Sequence, residues 1–422
     1  MAILGKLLNT LRNALLIAFA ATSIASGQQA PIENIQPDIS KSVISAKKTI
    51  QDNRFAEMTE MFKSPVNNPY DSFDSNIHFL QATNDYFGEI INSFAKKYSL
   101  EGTISERAIV AILYNELNAS TSILSHEIAH YPGLRRVSPD AEIIFSFPIF
   151  YMNSAIFFGM DYPKIAKPIY LDDKIFHIVS GLNINELAAE AYAKETLETM
   201  TLQDAFSYLH AKLLDDFYSL ADFVMPDPRS DLTSYLKGIT NIINNLPQTR
   251  EQLTWMLLLP DILSLRVYNA INSIYHYIAT GENETEASTI FAGNNTISYP
   301  DISCYLTPQG IAYNLMMQMK DNEDFIYTAE ISGNPFYPMQ TKYNQKRIAI
   351  GVRNSEDAFS IEGAITYDKQ LSFSHISLTK TLRGDNGSLT VGIEYSSGDL
   401  IENTVKGKKD GITFRLSADI DF

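Results

Sequence analysis

Cysteine and basic residues are both scarce in this sequence. The 422 residues include one cysteine, Cys304, so the chain cannot form an internal disulfide or a four-cysteine zinc site. Lysine and arginine number 33 against 49 acidic residues, a formal net charge of −16. Nucleic acid binds to basic surfaces because its phosphates are negative, so nucleic acid is not an expected partner. Cys304 is predicted to be a small buried apolar side chain.

The sequence also lacks an N-terminal apolar run long enough to cross a bilayer with ease. The run at residues 14–24 follows Lys6 and Arg12 and precedes the small residues at 25–27. A positive start, a short apolar stretch and a small-residue cleavage site are the three parts of a secretory signal peptide. The sequence therefore predicts a signal peptide over residues 1–27 and an exported protein.

A second apolar run, IIFSFPIFYMNSAIFFGM, occupies residues 143–160 and carries no charge. Its 18 residues lie at the lower limit for a membrane-spanning helix, and Pro148 and Asn153 interrupt it. The run predicts a buried or membrane-dipping helical hairpin in preference to a true span.

Hydrophobic periodicity divides the rest of the chain. Over residues 75–285 the apolar residues recur at three- and four-residue spacing, which predicts a mostly α-helical domain. Over residues 286–422 they alternate with polar residues, which predicts an antiparallel β-domain with roughly six to eight strands after Ile311. Residues 28–74 are more polar and predict a helical linker region. The predicted fold class is α+β, with helices before strands.

The last predicted strand alternates most strictly. In GITFRLSADIDF, residues 411–422, every second side chain is apolar. The strand resembles the closing strand of bacterial outer-membrane β-barrels, in which one face meets lipid and the other a polar lumen. A soluble sandwich with one buried face produces the same alternation. The sequence leaves a small barrel and a sandwich both open.

The motif HEIAH, residues 126–130, points most directly to a chemistry. His126 and His130 are four residues apart, so a helix places both imidazoles on one face. Such a pair can bind zinc, and Glu127 beside it can take a proton from a zinc-bound water. The expected cofactor is therefore Zn2+, with both histidines as ligands and Glu127 as the catalytic base. A histidine-bearing surface helix is the alternative.

The third zinc ligand has to come from elsewhere in the chain. Arg136 stands where an extended HExxHxxGxxH motif needs its last histidine, and arginine cannot bind zinc because it stays protonated. The sequence NELAAE, residues 185–190, resembles the second motif of the gluzincin peptidases. In that family a glutamate binds zinc, and an acid one helical turn later orients a zinc-binding histidine. The resemblance implies Glu186 as the third ligand and Glu190 as the orienting acid.

The spacing of the two motifs is similar to that in the membrane-linked gluzincins, the prenyl-protein and heat-shock proteases and their periplasmic relatives. Those enzymes also have an apolar hairpin between the motifs. Two features depart from the family: Glu190 stands where aspartate is usual, and Pro132 is expected to end the first helix soon after His130. His177 and Tyr192 are the candidates to stabilise a tetrahedral oxyanion.

Together these features predict a zinc-dependent metallopeptidase of the bacterial cell envelope, located in the periplasm or outer membrane. A zincin-like helical domain would cleave a protein or peptide substrate, and the β-domain would associate with the membrane. One alternative is an envelope binding or assembly protein whose zinc site is structural or vestigial. The other is an outer-membrane barrel with a helical periplasmic domain and no metal. Cleavage that depends on Glu127 excludes the first alternative, and bound zinc excludes the second.

Overall fold

The computed structural model describes the predicted helical domain and most of the predicted strands. The described residues are 72–137, 145–146, 159–160, 171–225, 230–240, 250–287, 289–292, 295–307, 310–333, 345–354, 359–368, 370–384, 387–397, 405 and 410–420. The predicted signal peptide, and the polar region as far as residue 71, lie outside the described residues.

Helices occupy the first part of the described chain, as the three- and four-residue spacing of apolar residues predicts. They are α1 (Ser72–Lys97), α2 (Ile104–Val137), α3 (Leu171–Glu195), α4 (Leu202–Val224), α5 (Asp231–Thr240), α6 (Arg250–Leu263) and α7 (Leu265–Thr280). Helix α4 begins with a capping box, in which Thr201 and Asp204 each accept the other's backbone N–H. Helix α7 ends at Gly281, whose φ of 86° is in the left-handed region that glycine adopts without strain.

Helix α3 is the centre of the helical domain. Its residues 176–193 are almost all buried, because α1, α2, α4 and α5 pack around it. Small side chains such as Ala188, Ala189 and Ala193 allow these neighbours to approach closely. A helix covered on all sides places any polar side chain that it carries inside the protein, where that side chain needs a partner.

Helix α2 is longer than the sequence predicts. Pro132 is expected to end it soon after His130, but the helix continues to Val137. Proline removes one helical hydrogen bond because it has no N–H. Helix α2 packs along α1, α3, α4 and α7, and such tertiary contacts outweigh the loss of one backbone hydrogen bond. The expected helix end at Pro132 is therefore wrong.

Strands follow the helices, with three short exceptions. The short strands are β1 (Phe145–Ser146), β2 (Gly159–Met160) and β3 (Thr199–Thr201). The later strands are β4 (Glu284–Glu286), β5 (Thr289–Ala292), β6 (Asn295–Ser298), β7 (Asp301–Thr307), β8 (Gly310–Lys320), β9 (Phe325–Gly333), β10 (Lys346–Asn354), β11 (Phe359–Asp368), β12 (Gln370–Gly384), β13 (Gly387–Ser396) and β14 (Gly411–Ile420). The predicted order of helices before strands, and hence the α+β class, is confirmed.

The large sheet is antiparallel throughout. Its order is β14-β13-β12-β11-β10-β9-β8-β6-β5, with β7 also paired to β8. Strands β8 to β14 are seven, within the number predicted after Ile311. Among the described strands the path is open, since β14 at one end and β5 at the other do not pair with each other. No closed barrel is therefore found among them.

The alternation predicted for the strands is present, but the exposed face is the apolar one. In β10, Ile348 and Ile350 are exposed, whereas Arg347 and Ala349 between them are buried. A soluble sandwich would bury its apolar faces against each other. The described part of the sheet does not have that arrangement.

The two ends of the apolar run at residues 143–160 are paired with each other. Phe145 pairs with Met160, and Ser146 with Gly159, in the two-stranded ladder of β1 and β2. A single straight helix from residue 145 to residue 160 would hold these ends far apart, so the pairing excludes such a helix. Residues 147–158, where the hairpin is predicted to be helical, lie outside the described residues.

Two further observations complete the fold. No helix in the described ranges combines the length and the hydropathy needed to cross a membrane. Cys304 lies in β7, buried against apolar side chains that include Leu306 and Ile311, so its prediction as a small buried apolar residue is confirmed.

Candidate metal centre

The two histidines of the HEIAH motif face each other inside the helical domain. His126 and His130 lie one turn apart on α2, with their Nε2 atoms 3.3 Å from each other and their ring centroids 5.0 Å apart. Both side chains are buried. The prediction that the helix brings the two imidazoles to one place is confirmed, and the surface-helix alternative is wrong because the histidines are covered by protein.

Helix α3 packs antiparallel to this turn of α2 through residues spaced four apart: His177, Gly181 and Asn185. His130 Nδ1 lies 2.8 Å from the backbone oxygen of His177, and His177 Nδ1 lies 2.9 Å from the backbone oxygen of His130. A carbonyl oxygen only accepts, so each Nδ1 carries the hydrogen. In neutral His130 this leaves the Nε2 lone pair available to a metal ion.

Gly181 keeps the space between the histidines open. A Cβ at this position would lie 2.5 Å from His126 Nε2 and 2.6 Å from His130 Nε2, closer than atoms can approach. Any other residue would therefore place atoms in the space beside both Nε2 atoms. The sequence contains this glycine in the middle of a helix, where glycine is unfavourable by about 1 kcal/mol relative to alanine.

We expect Gly181→Ala to weaken zinc binding by at least about 10-fold while α3 remains helical, because alanine favours the helix but its methyl group fills the space beside both imidazoles. Zinc affinity measured by competition with a chromogenic chelator, together with circular dichroism, tests this. Gly88→Ala is the matched control: its Cβ would meet only the side-chain end of Gln203, which can move. Unchanged zinc affinity in Gly181→Ala would show that no ion occupies this space.

Asp231 is the third group at the centre. It begins α5, and its Oδ2 lies 3.2 Å from His130 Nε2 and 3.5 Å from His126 Nε2. These three residues form the one cluster of potential metal ligands found among the described residues. The backbone N–H of Asp231 donates to the hydroxyl of Tyr218 at 3.1 Å, and this hydrogen bond holds the start of α5 beside α4.

The spacing of the three ligand atoms suits a zinc ion. Tetrahedral ligands at about 2.0–2.2 Å from zinc lie about 3.3–3.6 Å from one another. The three atoms of His126, His130 and Asp231 are separated by 3.2 to 3.5 Å. Two imidazoles and one carboxylate are also a donor set that zinc accepts in catalytic sites, with a fourth position left for water. The residues therefore fit the ion.

Charge couples the same three side chains. Burial would lower the pKa of His130, but the Asp231 carboxylate beside it raises that pKa to about 9. Burial would raise the pKa of Asp231, but His130 and the hydrogen bonds from both histidines hold it well below its usual range. Burial raises the pKa of Glu127, and the two histidines lower it, so Glu127 is close enough to the centre to interact with it.

His177, a candidate to stabilise the oxyanion, is not part of the metal-ligand cluster. Its Nδ1 is bonded to the backbone of α2, and burial lowers its pKa to about 4. This side chain fastens α3 to α2, while the backbone oxygen of His177 orients the His130 ring. Tyr192, the other candidate for the oxyanion, is buried with its hydroxyl accepting from Asn84 at 2.9 Å, and it is not part of the metal-ligand cluster.

Glu186 is not part of the cluster either. Its Oε2 lies 2.6 Å from Lys212 Nζ on α4, and this lysine also bonds Asp261 Oδ1 at 2.9 Å and the backbone oxygen of Ile302 at 2.6 Å. Burial raises the pKa of Glu186, while the ammonium group of Lys212 lowers it. The structure thus replaces Glu186 by Asp231 as the third candidate ligand.

Removing this buried lysine is expected to destabilise the helical domain strongly. Lys212→Met leaves Glu186 and Asp261 buried without their cation, which typically costs about 3–5 kcal/mol. The orphaned carboxylates take up protons in the folded state and not in the unfolded state, so the loss is larger at pH 7 than at pH 5. Urea unfolding at both pH values measures it.

Lys320→Met is the matched control for this loss. Lys320 bonds Glu198 at 2.8 Å nearer the surface, and such a pair contributes about 0–1 kcal/mol. Equal effects of the two substitutions would contradict the assignment of Lys212 as the cation that neutralises the buried carboxylates.

Asn185 stands behind His126 in place of the predicted acid. Its Nδ2 lies 3.3 Å from His126 Nδ1 and donates to Asp215 Oδ1 at 2.7 Å. Its Oδ1 is buried without a hydrogen-bond partner. Rotating the amide would present that oxygen to an Nδ1–H, the tautomer of His126 whose Nε2 is available to an ion.

Glu190, the predicted orienting acid, lies farther along α3. It accepts hydrogen bonds from the hydroxyl of Tyr305 and from Asn314 Nδ2, which are on strands β7 and β8. Its carboxylate therefore ties the central helix to the sheet. Asn185, one turn earlier, is the residue that contacts a histidine of the cluster.

Sequence reasoning missed Asp231, Gly181, Asn185 and Tyr218. Gly181 and Asn185 carry a signal, since they continue the four-residue spacing of His177 along one helix face. Asp231 and Tyr218 belong to no motif, and their approach to α2 depends on how α4 and α5 pack. Comparisons with protein-family models, with curated proteins and with solved structures found no match to this chain.

Proposed function

We propose that the helical domain is a zinc-dependent hydrolase of peptide bonds, with zinc held by His126, His130 and Asp231. The observation that carries the proposal is the convergence of three ligand atoms at tetrahedral spacing, beside a space that only glycine leaves open. The HExxH motif is retained from the sequence-based hypothesis, and its third ligand is changed.

The number of ligands favours a catalytic over a structural ion. Structural zinc sites are closed by four protein side chains, whereas catalytic sites use three and keep one position for water or substrate. In the described part of the chain, three groups converge. The single cysteine, Cys304, is not one of these groups. It lies among the side chains of α6 and the neighbouring strands, where its sulfur contacts the backbone oxygen of Met256.

The chain's own residues divide the remaining work. A bound zinc ion would make a water molecule acidic enough to ionise near neutral pH and would polarise a carbonyl group. Glu127, adjacent to the ligand His126, accepts the proton of the attacking water and delivers it to the leaving amine. The hydroxyl of Tyr218 lies close by, since its ring is 6.0 Å from that of His126, and it can donate a hydrogen bond to the developing oxyanion.

The substrate class follows from the motif and from the predicted export of the chain. We infer a protein or peptide of the bacterial cell envelope as substrate, cleaved in the periplasm or at the outer membrane. A polypeptide substrate also agrees with the role of Glu127, because an amine leaving group needs a proton that a glutamate can supply.

An envelope binding or assembly protein is the second candidate function. It is favoured by one observation: without an ion, the buried His130 and the partly exposed Asp231 form an ion pair that joins α2 to α5. In that function the pair would stabilise the packing of the helices, and the site would be structural or vestigial.

Metal analysis and proteolysis separate the two functions. The full chain, purified without chelator and supplied with zinc, is expected to bind about one zinc ion per chain. It is then expected to cleave fluorescein-labelled casein, to lose this activity with a chelator and to regain it with zinc. One bound zinc ion without any cleavage of casein or of envelope proteins would favour the binding function.

A further inference from the structure

In the large sheet the apolar face is exposed and the polar face is buried, the reverse of a sheet in a soluble protein. We define the outer face as the side of β8–β14 on which Ile350 lies; that side chain is 64% exposed, whereas Arg347, three residues earlier on the opposite face, is 2% exposed. In a soluble protein the apolar face is packed and the polar face is wet. Here the polar face is covered and the apolar face is not.

The covered face is held by polar contacts. Arg347 on β10 pairs with Glu330 on β9 at 3.1 Å and with Glu362 on β11 at 3.3 Å. Glu330 also pairs with Lys194 at the end of α3, at 2.9 Å. These ion pairs attach β9 and β10 to the helical domain, so this part of the inner face has its partner in this chain.

The outer face is continuous across the strands. The strand register aligns Ile350 with Gly363 of β11, Gly363 with Ile376 of β12, Ile376 with Tyr395 of β13, and Tyr395 with Ile412 of β14. Neighbouring strands are about 4.8 Å apart, so one such row is about 20 Å wide. Further apolar rows lie above and below it, and the exposed area greatly exceeds the scattered apolar residues of an ordinary surface.

Charge is nearly absent from this face, although the whole chain is strongly acidic. By register, the outer positions of β8–β14 carry no aspartate or glutamate, and their charged residues are Lys346 and Lys380. Lys346 lies at the end of β10, and Lys380 pairs with the first residue of β11. The long side chain of a lysine at a strand end, such as Lys346, can extend its ammonium group into water.

Aromatic residues on the outer face lie toward the two ends of the strands. Tyr367 and Phe373 lie where β11 ends and β12 begins, and Tyr327 and Phe359 lie near the opposite ends of β9 and β11. Aliphatic residues such as Ile350 and Ile376 lie between these aromatic residues, and Tyr395, in the same row, is at the end of β13. Aromatic belts at both edges of an aliphatic band are the pattern of a surface that meets lipid headgroups at its edges and acyl chains at its centre.

We propose that the outer face of β8–β14 lies against the hydrocarbon of a lipid bilayer. The strands are 9 to 15 residues long, and a tilted strand needs about 9–11 residues to cross the hydrocarbon. A protein partner would require a rim of hydrogen-bonding groups, about one bond for every 100–200 Å² of interface, which this face does not supply. Lipid requires none.

The bilayer imposes a condition at the edge of the sheet. Strand β14 ends the path of paired strands, and backbone groups at an open edge cannot remain unpaired in hydrocarbon. In vesicles we therefore expect slow amide exchange along β14, as along β12 in the interior of the sheet. Fast exchange along β14 in vesicles would place this strand outside the hydrocarbon and would overturn the proposal for it.

Depth-dependent quenching tests the occupant of the face directly. In a Cys304→Ala background, Ile376→Cys on the outer face and its neighbour Ser377→Cys on the inner face are each labelled with an environment-sensitive fluorophore. The full chain is then folded into phosphatidylcholine vesicles with ordinary or brominated acyl chains. We expect the Ile376→Cys probe to be quenched by the brominated chains and the Ser377→Cys probe to be unaffected.

Every other result for the Ile376→Cys probe overturns the proposal. An apolar environment that appears only at high protein concentration, without quenching, would mean that a second copy covers the face. An apolar environment at all concentrations and without vesicles would mean that another part of this chain covers it. A probe that stays in water would mean that the face is bare.

A second test places a charged residue either in the middle or at the end of one strand and compares the folding equilibrium of the two variants in vesicles. We expect Ile350→Arg, in the middle of β10, to weaken the folding equilibrium in vesicles by roughly 30- to 700-fold. Asn354→Arg, at the end of the same strand and on the same face, should change it by less than about five-fold. Equal effects at the two heights would exclude a bilayer as the environment.

Discussion

Replacing Glu127 by glutamine is expected to slow peptide-bond hydrolysis by about 10²–10⁴-fold and to leave the bound zinc in place. Glutamine keeps the size of the side chain and can hydrogen-bond a water molecule, but it cannot accept a proton. Glu127 is not one of the three converging ligands, so the ion has no reason to leave. Initial rates on labelled casein and zinc content by elemental analysis measure the two effects.

The matched control for this substitution lies on the same helix. Glu116 is exposed on α2, away from the histidine pair, and Glu116→Gln should change neither rate nor zinc content. If Glu127→Gln cleaved the substrate as fast as the unmodified protein, the hydrolase proposal would be wrong. The centre would then be assigned to the binding or assembly function.

Asp231→Ala is expected to remove zinc and activity together, whereas Glu186→Gln should retain the zinc. Loss of a residue that merely orients a ligand already weakens metal binding by about 10–100-fold, and loss of one of three ligands should exceed that range. Glu186 bonds Lys212 instead, so its replacement should lower stability and leave the ligand atoms in place. Zinc affinity is measured by chelator competition on the folded variants.

Asp231→Ala and Glu186→Gln are expected to give opposite zinc affinities depending on whether Asp231 or Glu186 is the third ligand. Zinc that is held by Asp231→Ala and lost by Glu186→Gln would restore the third ligand implied by the gluzincin resemblance. Circular dichroism of each variant before metal titration distinguishes loss of a ligand from loss of the fold. Asp231→Asn adds a conservative comparison, since an amide keeps the shape of the side chain but is a weaker zinc ligand than a carboxylate.

The histidine pair could be predicted because it is local. An α-helix turns by about 100° per residue, so residues four apart share a face whatever surrounds the helix. The same rotation explains why Glu186, the third ligand implied by the gluzincin resemblance, lies outside the cluster. Asn185 faces His126, so Glu186, the next residue of α3, points about 100° away, where Lys212 lies.

Asp231 could not be predicted in the same way, because its distance along the chain from His130 is about a hundred residues. Its position depends on the packing of α4 and α5, fastened by the hydrogen bond to Tyr218. The end of α2 was mispredicted for a related reason. Proline acts locally, but α2 as a whole packs along four other helices, and a local pattern does not reveal that packing.

The sequence by itself determined the class of fold, the helix that presents the histidine pair, and the alternation of apolar and polar residues along the strands. Each of these depends on a local period, 3.6 residues for helices and two for strands. Only the tertiary structure decided which group joins the two histidines in the candidate metal centre and which face of the sheet is covered. The alternation predicts that Ile350 and Arg347 lie on opposite faces of the sheet, but it does not predict which of the two is buried. Arg347 is the buried one because it forms ion pairs with Glu330 and Glu362 and because the helical domain lies behind them.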